Sequence, residues 1–263
     1  MLASNHNPLG ALAWQNEREG WLLLGEAQAD AGPFRLETHQ GVTCAWWQGP
    51  AGEMENYLML SPGYIGELEK AIPALVPLIQ ANGAVTVLRY LQTDERPEWR
   101  QVLTRCGFIL ADTAPLMAAH MSSSPAFPRE NTQVRAERVG VACEYQEACA
   151  LTQRIFGGPL SVTRFFAQPE LTQMYAAWLG KDLVAAATLW PFGGTAGLYS
   201  VGTEPNLRRQ GIAAAVMNRL LADAWQDGFS IATLRTTDNL TPVYVAGGFQ
   251  TVGRVVRWVR LGR

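Results

Sequence analysis

The feature that most constrains the fold is a repeated switch between short apolar strands and amphipathic helices in the second half of the chain. Residues 197–203 have the apolar and aromatic composition of a strand. Residues 211–227 place Ile212, Val216 and Leu220 on one helical face. The full order from residue 134 onward reads β-α-α-β-β-β-α-β-α-β, with the second helix at 161–171. This order predicts an α/β protein (a mixed, α+β type of sheet) with helices on both faces.

A segment rich in serine and proline, SSSPAFPRENT, divides the chain near its middle. It predicts a linker at 123–132 between a domain at 1–122 and a domain at 133–263. Both halves contain a helix that begins at proline and ends in Gly-Phe before a last strand. We interpret this echo as a weak internal repeat, although two unrelated α/β domains could share it by chance.

Composition excludes several classes of function. The net charge is −2, so nothing global indicates a nucleic-acid or membrane partner. The N-terminus lacks a basic region followed by an apolar run, and no stretch of about 18 apolar residues suggests a membrane span. The four cysteines have no C-x-x-C spacing and the three histidines are scattered, so we expect reduced thiols, no metal and a cytoplasmic location.

The turn before the helix at 211–227 concentrates groups that suit an anion. Arg208 and Arg209 lead into Gly211, and the small Ala213 lies in the first turn. A helix N-terminus offers unpaired N–H groups and a partial positive charge, which together bind phosphates. The alternative is that the two arginines are merely solvated and that the glycine only shapes the turn.

In this context the sequence resembles the GNAT acetyltransferase superfamily. Residues 208–213, Arg-Arg-Gln-Gly-Ile-Ala, match that family's pyrophosphate loop, (Gln/Arg)-x-x-Gly-x-(Gly/Ala). Upstream, Thr203-Glu204-Pro205 stands where the family usually has Val-x-Pro. Downstream, residues 244–249 match its Tyr-x-x-x-Gly-Phe segment. The resemblance covers residues 134–263 and implies two tandem acyl-CoA N-acyltransferase (GNAT) type domains.

The resemblance implies acetyl-CoA as co-substrate. The strand end would pair with the pantetheine arm through Val201, Gly202 and Thr203. The loop amides would hold the pyrophosphate, and they belong to Arg208, Arg209, Gln210, Gly211, Ile212 and Ala213. Asn239 follows the next strand, where the family often has an asparagine near the cofactor, although its spacing to Tyr244 is shorter than usual.

Two residues are candidates for catalysis. The resemblance places Tyr244 where the family carries the tyrosine that protonates the departing thiolate; the alternative is a core aromatic. Glu204 ends the preceding strand and could accept a proton through water, or could cap the loop or lie in solvent. Ordered water can replace a general base altogether.

The first half lacks the loop motif. No arginine precedes a Gly-x-Gly/Ala there, and Glu67 and Glu69 make the first helical turn acidic, which would repel a pyrophosphate. We therefore expect a degenerate GNAT-like domain that covers the acceptor cleft or supports the second domain. Trp46, Trp47 and Trp99 could line an acceptor pocket or be core residues.

The sequence thus predicts an N-acetyltransferase that acts on a primary amine of a small molecule or peptide by direct attack in a ternary complex. The alternative is a non-catalytic acyl-CoA-binding sensor or scaffold. We expect neither a nucleic-acid nor a membrane partner, and we allow for a homodimer.

Overall fold

The computed structural model describes residues 7–27, 34–48, 55–64, 66–121, 126–157, 163 and 167–262. The helices in this part of the chain are α1 Pro8–Glu26, α2 Leu68–Asn82, α3 Pro97–Arg105, α4 Ala142–Phe156, α5 Ile212–Gln226 and α6 Thr241–Ala246. The strands are β1 Phe34–His39, β2 Val42–Trp47, β3 Asn56–Leu60, β4 Thr86–Leu91, β5 Ile109–His120, β6 Val134–Arg138, β7 Gln173–Leu179, β8 Asp182–Trp190, β9 Ala196–Thr203, β10 Ile231–Arg235 and β11 Gln250–Arg260. Of the helix predicted at 161–171, residues 161, 162 and 164–166 lie outside the described residues; residue 163 is helical, whereas 167–171 form irregular backbone and a turn, so the helix does not extend to 171.

The chain divides into two compact units, Met1–Leu116 with Val252–Arg263 and Met117–Thr251. We call them the N-terminal and the C-terminal unit. Each combines a mixed sheet with helices on both faces, which confirms the predicted α/β fold class.

In the N-terminal unit the strand order is β1-β2-β3-β4-β11-β5. Strands β3 and β4 are parallel, and the pairs β1–β2, β2–β3 and β4–β11 are antiparallel. Helices α2 and α3 bury their apolar sides against one face of this sheet. Trp99 lies fully buried in that core.

Helix α1 covers the opposite face, and the sequence analysis missed it. Its start carries ordinary signals, because the side chain of Asn7 accepts the N–H of Leu9 and Pro8 occupies the first turn. The Trp21 ring packs 4.1 Å from that of Tyr57. The helix also introduces charge into the core.

That charge is a buried ion pair between α1 and β4. Arg89 Nη1 lies 2.9 Å from Glu17 Oε1, and the two side chains are only 8% and 1% exposed. The Arg89 guanidinium also lies over the Tyr57 ring, 4.6 Å from its centroid. A buried pair of this kind fixes the register of α1, because neither charge tolerates loss of its partner.

In the C-terminal unit the strand order is β5-β10-β9-β8-β7-β6. Side chains alternate between the two faces, so Tyr175 and Ala177 pack with α5, and Met174 and Ala176 pack with α4. The apolar stripe predicted for 211–227 is therefore the side of α5 that faces the core.

The two units differ from the domains expected from the sequence, and the difference lies in β5 and β11, the last strand of each predicted domain. Most of β11 belongs to the N-terminal unit, where Val255 to Arg260 pair with β4. The reason lies in its side chains, because Arg254 donates to Thr113 O, Arg260 donates to Cys106 O and the Trp258 indole donates to Tyr90 Oη. Conversely, the end of β5 belongs to the C-terminal unit.

None of the described helices has the combination of length and apolar character needed to cross a membrane. All four cysteines are free thiols.

Glu17→Gln should reduce the free energy of unfolding by about 3–5 kcal/mol, because it leaves the Arg89 charge buried without its partner. Urea unfolding measures this loss, and the double variant Glu17→Leu/Arg89→Met should recover most of it. Arg35→Ala, which removes an exposed ion pair with Glu37, is the control and should change stability by no more than about 0.5 kcal/mol. A Glu17→Gln protein as stable as the wild type would contradict the assignment.

Candidate functional site

The site begins where two parallel strands separate. Strand β10 is registered with β9 at two positions among the described residues, Ala196 with Ala232 and Gly197 with Thr233. Strand β9 nevertheless continues to Thr203 along its other neighbour, β8. The edge of β9 that faces β10 is thus left for another hydrogen-bonding partner.

A β-bulge turns this part of β9. The register with β8 shifts between Ala186 and Thr188, so Ser200 and Val201 together lie opposite one residue of β8. Ser200 has φ 52°, a left-handed value that marks a sharp local change of direction. The bulge redirects the strand before it reaches Thr203.

The predicted anion loop follows at the end of β9. A 3₁₀ turn at Pro205–Leu207 leads to Arg209 with φ 63° and Gly211 with φ 77°, and α5 starts at Ile212. The seven consecutive main-chain N–H groups of residues 208–214 find no hydrogen-bond acceptor among the described residues. The first turn of α5 also contains no acidic residue. Main-chain N–H groups arranged in this way suit an anion such as a phosphate.

Gly211 has a structural role in addition to its left-handed φ. A Cβ at this position would overlap the carbonyl oxygen of Arg129, and the N–H of Asn131 donates to Gly211 O at 3.3 Å. The close approach expected at this glycine is therefore made by the chain's own backbone. The N–H groups at the helix start remain available for a ligand.

Thr203 and Arg208 meet at the mouth of the loop. Arg208 Nε donates to Thr203 O at 3.2 Å, which holds the cation beside the strand end. Thr203 is 7% exposed, and its hydroxyl has no hydrogen-bond partner in the part of the chain that the structure describes. A buried hydroxyl without a partner costs free energy, which a polar ligand at this point would offset.

Gly202 makes room for the end of α4. A Cβ at Gly202 would lie 2.9 Å from the side chains of Ile155 and Phe156. Phe156 remains 58% exposed, so α4 places a partly exposed apolar ring over the face of β9 at Gly202. This contact lines the strand with hydrophobic surface.

Glu204 forms an ion pair that the sequence did not predict. Its Oε1 lies 2.9 Å from Arg154 Nη2 at the C-terminal end of α4. Its main-chain N–H donates to Val184 O at 2.9 Å, so the residue still belongs to the sheet. The carboxylate is held at the end of β9 and is partly exposed.

Tyr244 lies in α6 among aromatic rings. The Phe127 ring lies 6.2 Å away at 81° and the Phe249 ring 6.2 Å away at 74°, both edge-to-face. Burial raises the pKa of the Tyr244 phenol, and a side-chain hydrogen bond with Thr236 offsets part of that rise. The phenol therefore stays protonated at neutral pH and can donate a hydrogen bond or a proton.

The remaining predicted residues differ in exposure. Ile212 is buried in the core, and Val201 and Ala213 pack partly against it. Gln210 is exposed in the loop. Asn239 is exposed and accepts a hydrogen bond from the Thr237 hydroxyl, which makes it part of the turn before α6.

The corresponding region of the N-terminal unit is closed. Strands β3 and β4 stay in register over four residues, from Asn56–Thr86 to Met59–Arg89. The Trp14 indole donates to Leu60 O at 2.7 Å, so a side chain takes the strand-end carbonyl. The Tyr64 ring occupies the following loop and its hydroxyl donates to Gln40 O at 2.9 Å.

Three contacts of the site escaped sequence reasoning. Arg154 pairs with Glu204, Thr236 binds Tyr244, and residues 126–131 contact both Gly211 and Tyr244. Only the last carries a sequence signal, since Phe127 is a lone aromatic in a Ser/Pro-rich segment. Among the described residues, no group of three or more His, Cys, Asp or Glu side chains could hold a metal ion.

Comparison with protein families identifies the region that carries this site. The model described as the Acetyltransferase (GNAT) family matches residues 142–245. This range includes the separated strands, the loop and Tyr244. The comparison with curated proteins found no match.

Solved structures share the fold over nearly the whole chain. A GCN5-related N-acetyltransferase from Kribbella flavida is 17% identical, with a TM-score of 0.71 over 95% of this chain and 96% of that one. A GCN5-related N-acetyltransferase from Sphaerobacter thermophilus is 14% identical, with a TM-score of 0.62 over 99% and 94%. A tandem GNAT protein from the clavulanic acid biosynthesis pathway is 12% identical, with a TM-score of 0.62 over 94% and 96%. These likenesses show the fold.

Ala213→Asp should separate anion binding from helix stability. A carboxylate in the first turn of α5 favours the helix dipole by about 0.3–1 kcal/mol but repels a diphosphate, so coenzyme A affinity should fall about tenfold or more. Isothermal titration calorimetry measures the affinity. Gln226→Glu adds the same charge at the other end of α5 and should bind as the wild type does; equal affinity of all three proteins would contradict the site.

Proposed function

We propose that the protein is an N-acetyltransferase, because residues 142–245 match the model described as the Acetyltransferase (GNAT) family. It transfers an acetyl group from acetyl-CoA to a primary amine of a small molecule or peptide. The observation that carries the proposal is the run of seven main-chain N–H groups at 208–214 without acceptors among the described residues.

The chain's own groups suit each part of acetyl-CoA. The N–H groups of the loop, from Arg208 to Ala213, would hold the diphosphate, and Arg208 and Arg209 would add charge attraction. The free edge of β9 at Val201, Gly202 and Thr203 would pair with the amides of the pantetheine arm. The unpartnered Thr203 hydroxyl supports a polar ligand there. Asn239, in the turn before α6, would border the same ligand.

Acetyl-CoA supplies the acetyl group as a thioester. In the ternary complex the free electron pair of the neutral amine forms the N–C bond, and the C–S bond breaks with its electrons on sulfur. Tyr244 gives its proton to that sulfur, which suits a phenol kept neutral by burial. A main-chain N–H near Thr203 would polarise the carbonyl oxygen.

We propose that the amine loses its proton through ordered water to Glu204. The carboxylate lies at the end of β9, on the same strand as the free edge. Its ion pair with Arg154, 2.9 Å between Oε1 and Nη2, holds it at this position. A fixed carboxylate can accept a proton from water without a large movement.

We propose that the N-terminal unit is a degenerate GNAT-like domain without cofactor binding. The continuous register of β3 with β4 and the filling of its loop by Tyr64 support this role. Trp46 and Trp99 lie in its core, which supports a structural role for them.

The alternative function is an acyl-CoA-binding sensor or scaffold, since the site could bind the ligand without turnover. A screen of amines, amino acids, polyamines and peptides for acetyl-CoA-dependent thiol release decides between the two. Thiol release that depends on an acceptor supports the transferase. Tight binding of coenzyme A with no release for any acceptor would leave the sensor.

Tyr244→Phe should lower kcat about 100-fold with little change in coenzyme A affinity, because the departing thiolate loses its proton donor. Since burial raises the phenol's pKa, wild-type kcat should fall only above about pH 10, and this alkaline fall should vanish in the variant. Steady-state rates across pH measure both effects. A variant with normal kcat would remove Tyr244 from the mechanism.

A further inference from the structure

Phe127 holds the helix that carries Tyr244. Helix α6 has six residues, none of which is fully buried, and Val243 and Val245 are about half exposed. So short a helix depends on tertiary contacts for its position. Phe127 supplies them, because it is 4% exposed and its ring packs against Tyr244 and Phe249.

The helix end is shaped to receive this ring. A Cβ at Gly247 would overlap the Phe127 ring, so the ring can pack here only because residue 247 has no side chain. Among the described residues, the Tyr244 ring contacts those of Phe127 and Phe249, and Phe127 comes from outside the segment that carries Tyr244. The position of the phenol is thus set partly by residue 127.

Asn218 of α5 fixes Phe127 in turn. Its Oδ1 accepts the N–H of Phe127 at 2.6 Å, and its Nδ2 donates to Phe127 O at 3.2 Å and to Glu130 Oε2 at 2.7 Å. Four residues further, Asn131 N–H donates to Gly211 O at 3.3 Å at the start of the same helix. Residues 126–131 thereby connect the anion loop to the catalytic tyrosine.

We infer that Phe127 is a positioning residue for the proposed acetyl transfer: it orients Tyr244, while residues 126–131 tie that tyrosine to the loop at Gly211. This inference rests on the proposed function for its kinetic part. The sequence gives this segment the composition of a linker, whereas the structure builds it into the C-terminal unit. Its role is to hold two parts of one site at a fixed separation.

The test compares Phe127→Leu with Phe229→Leu. Phe229 packs partly on the same core, and no ring contact joins it to Tyr244 among the described residues. We expect Phe127→Leu to lower kcat about tenfold while KM for acetyl-CoA changes less than twofold. In the Tyr244→Phe background the same substitution should have no further effect on kcat, because it acts through the phenol. Phe229→Leu should leave kcat unchanged in both backgrounds.

A second measurement does not depend on turnover. Hydrogen exchange of the ligand-free protein should become about tenfold faster at 241–249 in Phe127→Leu, with β7 and β8 unchanged. Asn218→Ala should give the same pattern by releasing the segment. If acetyl transfer is never found but this exchange pattern appears, the proposed function fails and the positioning contact stands.

Two results would overturn the inference. One is exchange at 241–249 that is the same in Phe127→Leu as in the wild type. The other is a loss of kcat of equal size in the presence and absence of the Tyr244 hydroxyl, since that would make Phe127 an ordinary core residue.

Discussion

The separation of β9 from β10, followed at once by a helix start, is the constraint on which the rest of the site depends. Parallel strands that diverge leave main-chain groups without partners, and a helix start leaves N–H groups without partners. The two sets are brought together between Gly197 and Ala214. A long ligand with amides at one end and a diphosphate at the other satisfies both.

The two halves use one fold with opposite outcomes. In the C-terminal unit the bulge at Ser200 turns β9, and the left-handed Gly211 turns the chain into α5, so the strand edge and the helix start both lack partners among the described residues. In the N-terminal unit the parallel strands stay paired, the Trp14 indole donates to Leu60 O at the end of β3, and the Tyr64 hydroxyl donates to Gln40 O. These side-chain bonds support the proposal that the N-terminal unit is a degenerate domain that needs no ligand.

Local signals in the sequence were enough to predict the mixed sheet and the turn that leads into the helix at 211–227. They also predicted that Tyr244 lies in a short helix after the next strand, and the structure adds the hydrogen bond between Tyr244 and Thr236. Helix α1 carried a cap and an N-terminal proline and could have been found. Its buried side contains the charged Glu17, which does not fit an apolar stripe, and the partner charge on Arg89 lies in a distant strand.

Other features depend on long-range contacts that no spacing reveals. The pairing of β11 with β4 follows from arginine and tryptophan partners in the N-terminal unit, not from local pattern. The Arg154–Glu204 pair and the packing of Phe127 on Gly247 join residues far apart in the chain. The Ser/Pro-rich composition at 122–132 predicted a linker. In the structure, Phe127 is buried and residues 126–131 belong to the C-terminal unit.

The central claim is that the main-chain N–H groups of residues 208–214 bind a diphosphate. Titration of ¹⁵N-labelled protein with coenzyme A, followed by amide chemical shifts, tests it most directly. If these N–H groups bind the diphosphate, the largest downfield proton shifts should occur at residues 208–214 and saturate at one equivalent. Unchanged signals at these residues, with the large shifts in the loop around Tyr64 instead, would contradict it.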